Sequence, residues 1–195
     1  MSRKIVLGWL FVSLFSITNC ADAGEKKTPD LKAFLNRNKK IWVYEASDTS
    51  NLQCIVDVQK SLSAEEVTFR RHYRRLSAYS YYDLKGKFVT STVDQAEQSK
   101  KTYNKMEVSL YQTTPRKFSQ ETLLYLSNDE ICGVFFVVDL TKDTPRSWYD
   151  IRLSDTSIAS GPDQACLNFY DAKRQGTTSR KIYYPDCNKN PESSS

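Results

Sequence analysis

A succession of about eight short segments, each alternating polar and apolar residues or rich in β-branched and aromatic residues, fills most of the chain. Clusters of turn-forming residues separate them at 47–51, 112–116, 127–130 and 141–146. This pattern is typical of consecutive strands in an all-β domain. The segments are, in chain order, IWVYEAS, CIVDVQKSL, EVTFRRHY, KFVTSTV, TYNKMEVSLY, ETLLYLS, CGVFFVVDL and SWYDIRLS.

Two helices are predicted at the ends of this run of strands. A segment that begins at Asp30 repeats apolar residues at helical spacing and predicts a short N-terminal helix. Near the C-terminus, Pro162 suits a helix start and Gly176 a helix stop. A last short strand, KIYYP, is predicted before Cys187.

Eight strands in meander order are most simply closed into an antiparallel up-and-down barrel, because closure removes exposed edges and eight strands enclose room for one small ligand. The alternative is a two-sheet sandwich. A sandwich of the immunoglobulin type places a tryptophan and cysteines in a fixed order, which Trp42, Trp148 and the cysteines do not follow. The predicted fold class is therefore an all-β barrel with the second helix packed outside.

Residues 1–23 are predicted to be a secretory signal peptide. A basic pair precedes the apolar stretch Ile5–Ile17, and small residues at Ala21 and Ala23 suit a cleavage site. A rival interpretation, lipidation at Cys20, fits poorly because Asn19 precedes it. The apolar stretch is too short to cross a membrane, so an exported domain over 24–187 with a flexible polar tail over 188–195 is expected.

Four cysteines remain after removal of the leader, and an even number in an exported chain predicts two disulfides. Three pairings are possible, and the residues alone do not choose among them. No cysteine spacing resembles a zinc knuckle, a redox motif or a haem attachment site, so no cofactor and no metal are expected.

Charge and motif content argue against an enzyme and against nucleic-acid binding. The chain carries 28 basic and 23 acidic residues over 195 positions, a net charge of +5 that is too dilute to indicate nucleic acid as a partner. His72 is the only histidine, and no nucleophile elbow or phosphate loop occurs, so no serine has an activating base.

The order of these segments resembles the secreted salivary lipocalins of ticks, of the histamine-binding type. The resemblance spans about residues 30–187, and its most specific parts are Cys132–Leu153 and the helix stretch ACLNFYDAKRQG with the final DC. It implies a lipocalin barrel and the pairs Cys54–Cys187 and Cys132–Cys166. It also implies sequestration of a small host mediator, such as histamine, another biogenic amine, a leukotriene, a fatty acid or a sterol.

Two charged residues are candidates for contact with such a ligand. Asp150 falls where the histamine binders place an inward acid, which the resemblance identifies as a partner for a ligand ammonium. Alternation in EVTFRRHY predicts that Arg71 points inward, where a guanidinium suits a carboxylate ligand. The alternatives are a surface position for Asp150 and a solvated basic loop after Phe69. The complete predicted ligand-binding set is Trp42, Tyr44, Phe69, Arg71, Tyr73, Phe135, Trp148 and Asp150.

The ligand class therefore stays open between an amine, favoured by Asp150, and a hydrophobic or anionic lipid, favoured by Arg71. A second function class is modulation of host immune cells by protein contact. Tyr79, Tyr81 and Tyr82, predicted to lie in an exposed loop, would suit such an interface.

Overall fold

The computed structural model describes residues 28–89 and 102–189, which form one antiparallel β-barrel with two α-helices. The predicted leader and the end of the predicted tail, 190–195, lie outside the described residues. Among the residues that are described, no helix is long and apolar enough to cross a membrane. The elements in chain order are α1 (Leu31–Arg37), β1 (Lys40–Ala46), β2 (Leu52–Leu62), β3 (Glu66–Arg75), β4 (Ala78–Val89), β5 (Lys105–Leu110), β6 (Lys117–Leu126), β7 (Cys132–Asp139), β8 (Arg146–Ser154), α2 (Gln164–Arg174), β9 (Arg180–Lys181) and a 3-10 turn at Pro185–Lys189.

The eight long strands pair with their sequence neighbours, and the sheet closes where β8 and β2 both pair with β1. Closure between β1 and β2 is short, since only Lys40–Trp42 pairs with Val56–Val58. The predicted eight-stranded antiparallel barrel is thus confirmed, and the sandwich alternative is wrong.

The C-terminal segment completes the wall where β1 and β2 separate. β9 pairs with Glu45 and Ala46 of β1. On its other side, the backbone N–H of Cys54 donates to the carbonyl of Ile182 at 2.9 Å. The disulfide between Cys54 and Cys187 ties this segment to β2. Residues far apart in sequence therefore share one stretch of barrel wall.

One end of the barrel is filled by an apolar core under α1. The helix begins at its cap residue Asp30, whose carboxylate accepts from the backbone N–H of Lys32 and Ala33. It buries Leu31 and Phe34 completely, and the Phe34 ring lies 5.7 Å from that of Phe135. The remaining buried members of this core are Leu35, Ile41, Val67, Phe69, Leu84, Phe88, Met106, Val108, Leu123 and Val137.

A second apolar cluster lies outside the barrel, between the sheet and the C-terminal third of the chain. α2 contacts β7 and β8, and the disulfide between Cys132 and Cys166 joins it to the wall. Asp163 caps the helix by accepting from the N–H of Cys166 at 2.7 Å, and the chain leaves it through Gly176 in a left-handed conformation. Both cysteine pairs are those that the resemblance implies.

Several predicted boundaries differ from the structure. β4 begins at Ala78, so the tyrosine-rich stretch predicted as a loop is a strand that pairs with β3 along its length. β3 itself continues to Arg75, so the basic run after Phe69 is strand and not a solvated loop. Of the predicted strand KIYYP only Lys181 lies in β9, which begins one residue earlier at Arg180. Asn188 and Lys189, expected in the tail, belong to the 3-10 turn.

Candidate functional site

A cavity of about 880 Å³ opens at the barrel end opposite α1. Because alternate side chains of a strand face the barrel interior, successive inward residues lie at successive depths of the barrel. The inward residues of β3 are, in order, Phe69 in the closed core, Arg71 at the cavity floor, Tyr73 on the wall and Arg75 at the mouth. β8 repeats this order with inward-facing Arg152, Asp150, Trp148 and Arg146. The other lining residues are Val43, 46–52, Ile55, Tyr82, Phe118, Ser119, Val137, Asp139, Thr141, Lys142 and Ser147.

Five charged side chains, four of them buried and that of Arg71 largely so, cross the barrel between the apolar core and the cavity. Arg71 donates to both carboxylate oxygens of Asp57, each at 2.7 Å, and to Glu121 at 2.9 and 3.3 Å. Arg152 donates to Glu121 at 2.6 Å and to Asp150 at 3.0 and 3.2 Å. We call these five residues the ion layer. Each of these five side chains makes a charge-assisted contact that is bidentate or that bridges two partners.

The pKa shifts distinguish the acids of the ion layer. Burial opposes ionisation of Glu121, but the charges and hydrogen bonds of Arg152 and Arg71 outweigh it and hold the Glu121 pKa well below its usual range. At Asp150, burial dominates over the attraction of Arg152, and the Asp150 pKa is raised from 3.8. The negative charge of Asp150 is thus compensated less completely than that of Glu121.

The ion layer holds three carboxylates against two guanidiniums and carries a net charge of −1 when all five are ionised. Asp57 and Glu121 lie beneath the arginines, so the cavity floor presents Arg71, Arg152, Asp150 and Ser119. Because a buried charge is costly without a partner, a cationic group above this floor gains the attraction of the surplus charge. An anionic ligand group at the same position would instead increase the uncompensated negative charge.

Aromatic side chains form the cavity wall above the floor. The rings of Tyr73 and Tyr82 stack with their centroids 5.1 Å apart, and Phe118 lies 5.1 Å from Tyr82. Trp148 contributes from β8. Ring faces of this kind pack against apolar ligands and attract cations.

Four of the eight predicted ligand-binding residues line the cavity, namely Arg71, Tyr73, Trp148 and Asp150. Phe69 and Phe135 point inward but belong to the closed core, where the Arg152 guanidinium lies over the Phe135 ring at 4.2 Å. Their contact with a ligand stays a prediction.

Trp42 and Tyr44 lie outside the barrel, which corrects the predicted orientation of β1. The Trp42 ring packs against Tyr183 at 5.2 Å, and its indole N–H donates to Asp155 at 2.6 Å. β1 carries apolar residues on both faces because the C-terminal segment covers its outer side. Ile41 and Val43 point inward instead.

Three members of the ion layer were missed by the sequence interpretation: Asp57, Glu121 and Arg152. Glu121 lies two residues before the fully buried Leu123 on β6, and this alternation was the available signal. In β8, Ile151 and Leu153 face outward, so the strand presents its charged residues to the barrel interior. No apolar inward pattern could therefore reveal Arg152.

A closed eight-stranded antiparallel barrel with one filled end, a ligand-sized cavity at the other and a helix on its outer wall is a lipocalin, a ligand-binding class of protein. The family model described as tick histamine binding protein matches residues 20–189. The chain therefore belongs to the tick histamine-binding protein family.

Solved structures with the same fold have low sequence identity to this chain. AM182, solved as a serotonin complex, has a TM-score of 0.54 and 13% identity over 80% of this chain and 90% of its own. Japanin from Rhipicephalus appendiculatus, bound to cholesterol, has a TM-score of 0.50 and 10% identity over 80% of this chain and 98% of its own. A leukotriene complex of an LTBP1 mutant has a TM-score of 0.50 and 13% identity over 79% and 86%. No curated protein sequence matches the chain significantly.

Proposed function

We propose that this lipocalin is exported and sequesters a small organic amine, a host mediator with an aromatic or apolar body. The observation that carries the proposal is the surplus negative charge of the ion layer together with the position of Asp150 at the cavity floor. The ammonium would approach Asp150, and the body of the ligand would pack among Tyr73, Tyr82 and Trp148. The leader-like N-terminus and the two disulfides support export.

The size of the cavity favours an amine larger than histamine alone, or one with an extended body. A volume of about 880 Å³ is near the upper end for drug-sized ligands. The serotonin complex of AM182, which shares the fold, supports an aromatic amine as the first ligand to test.

Arg71 does not favour a fatty acid headgroup in the way expected from sequence. Its guanidinium is shared between Asp57 and Glu121, so most of its donors are already used. Replacing Arg71 would leave buried carboxylates without a partner and change stability as well as affinity. Asp150 is the cleaner residue for a test.

Asp150→Asn is expected to weaken binding of serotonin by about 2 to 5 kcal/mol, since the ammonium loses its charge partner while Asn keeps the shape of Asp. Calorimetric titration of the purified protein measures this loss. Asp171→Asn is the matched control, because Asp171 lies on the outer surface of α2, paired with Arg174. Equal serotonin affinity of the wild type and Asp150→Asn would contradict the proposal.

Amine binding is also expected to weaken on acidification. The raised Asp150 pKa means that protons compete with the ammonium already above the usual range of an aspartate, with a loss of up to about tenfold per pH unit below that pKa. Glu121 stays ionised through this interval because its pKa is lowered. Serotonin affinity measured from about pH 7 to about pH 4 should fall in the wild type and stay nearly flat in Asp150→Asn.

The second function class, contact with host immune cells, is supported by exposed side chains on the outer face of the β3–β4 hairpin. Leu76 is 81% exposed at its turn, and Tyr79 and Tyr81 are 38% and 44% exposed. Tyr82, grouped with them in the sequence interpretation, faces the cavity instead. Comparison of cell binding by the wild type and a Tyr79→Ser, Tyr81→Ser variant tests this alternative.

A further inference from the structure

Three basic residues line the cavity mouth: Arg75 from β3, Lys142 from the β7–β8 turn and Arg146 from β8. All three are exposed, and none forms a salt bridge with a carboxylate of the described residues. They differ in this from Arg71 and Arg152, whose charges are matched within the ion layer. The mouth therefore offers cationic groups that no described side chain neutralises by direct pairing.

The two acids at the mouth already have partners. Asp48 binds the Arg180 guanidinium through both oxygens at 2.7 and 3.0 Å. Asp139 accepts from the backbone N–H and the hydroxyl of Thr141 at 2.8 and 2.7 Å. Among the lining residues at the mouth, three cations face these two acids, a net charge of +1; because Arg180, outside the lining, neutralises Asp48, the mouth with this partner has a net charge of +2, while the ion layer has −1. The cavity is polarised along its axis.

The distance between these two charged levels follows from strand geometry. Arg146 and Asp150 lie four residues apart on β8 and point to the same side, as do Arg75 and Arg71 on β3. At about 3.3 Å per residue, four residues correspond to about 13 Å along each strand. The aromatic residues Tyr73 and Trp148 lie halfway between the two levels.

From this arrangement we propose that the cavity accepts an amphoteric ligand, with an ammonium at the floor and an anionic group, such as a carboxylate or sulfate, at the mouth. The anion would bind Arg75, Lys142 and Arg146, and an apolar body of about 13 Å would span the aromatic wall. This inference rests on the proposed amine site and narrows its ligand class. An amine without an anionic end would pair with the ion layer only and leave the three basic residues at the mouth without a partner.

A matched pair of probes tests the mouth without any mutation. 12-Aminododecanoate carries an ammonium and a carboxylate at opposite ends, whereas 12-amino-1-dodecanol has the same length and a neutral end. We expect the carboxylate to improve affinity about tenfold in calorimetric titrations, a gain that shrinks as ionic strength rises. Equal or weaker binding of the carboxylate probe would overturn the proposal.

A combined variant, Arg75→Gln, Lys142→Gln and Arg146→Gln, should abolish this gain, so that it binds 12-aminododecanoate no more tightly than 12-amino-1-dodecanol. The control variant Lys60→Gln, Lys87→Gln and Lys189→Gln removes three exposed charges that do not line the cavity, and it should keep the gain. A gain that persists in the mouth variant would place the anion elsewhere and overturn the assignment.

Asp150→Asn separates this inference from the amine proposal. If the wild type shows the carboxylate gain and Asp150→Asn weakens both probes by the same factor, the floor and the mouth act as two sites, which supports both proposals. If Asp150→Asn has no effect but the mouth variant still removes the carboxylate gain, the amine site is wrong, and with it the amphoteric ligand, although the basic mouth stands as an anion site. If Asp150→Asn weakens both probes and no carboxylate gain exists, only the mouth is wrong.

Discussion

Replacement of Cys54 and Cys187 by serine is expected to lower the free energy of unfolding by about 5 kcal/mol, the larger of the two disulfide effects. The two cysteines lie 133 residues apart, and in the chain-entropy model a crosslink of that span restricts the unfolded chain most. The bridge also holds the segment that completes the wall between β1 and β2. We therefore expect weaker ligand binding as well as lower stability.

Urea unfolding of the oxidised proteins measures this effect. The matched control is Cys132→Ser with Cys166→Ser, which opens a bridge spanning 34 residues and should cost about 4 kcal/mol. That control loosens α2 on the outer wall but leaves the cavity lining in place. A smaller loss for the Cys54–Cys187 pair than for the control would contradict the predicted order.

Arg152→Met is expected to destabilise the protein by about 3 to 5 kcal/mol at neutral pH. The change leaves Glu121 and Asp150 buried with one fewer cation, and an uncompensated buried charge is strongly destabilising. Methionine retains an apolar stem against Phe135, so packing accounts for little of the loss.

The pH dependence identifies the cause of this loss. Without Arg152 the pKa of each carboxyl is raised in the folded state. The resulting penalty is complete above that raised pKa, shrinks as pH falls below it, and disappears below the pKa of the carboxyl in the unfolded chain, at about pH 4. Wild-type Glu121, with its lowered pKa, contributes stability above about pH 4.5 that is lost on acidification. The stability difference between wild type and Arg152→Met should therefore narrow toward about pH 4.

A combined variant, Arg152→Met with Glu121→Gln and Asp150→Asn, removes the unpaired charges and leaves the neutral pair of Arg71 and Asp57. It should recover much of the stability lost in Arg152→Met alone. Equal destabilisation of both variants across the pH range would show that packing, and not charge, is responsible.

The barrel could be predicted from sequence because most strands carry apolar residues at alternate positions and stand between recognisable turns. β3 shows the limit of that signal: its alternation placed Arg71 inward correctly, and the same alternation continues through Arg75, past the point where a loop was the competing interpretation. Burial of a basic residue is favourable only when partners exist. Those partners lie on β2 and β6, far away in sequence.

The strands next to the C-terminal segment and α2 were the least predictable. β1, β2 and β8 are covered on both sides, so their apolar residues do not mark the barrel interior. In β2, Cys54 and Val56 pack outward against the C-terminal segment, which leaves Asp57 facing inward. Side-chain direction there depends on a contact made more than 100 residues later in the chain.

The position of β9 in the wall between β1 and β2 determines when the barrel can close during synthesis of the chain. Because chains emerge from the ribosome with the N-terminus first, β1 and β2 are made long before Arg180–Cys187. Cys54 must then remain unpaired, or pair wrongly, while 133 residues are added before its native partner appears. The barrel wall is complete only once Arg180–Cys187 has been synthesised, so a nascent chain that has already formed most of the sheet still lacks a complete ligand cavity.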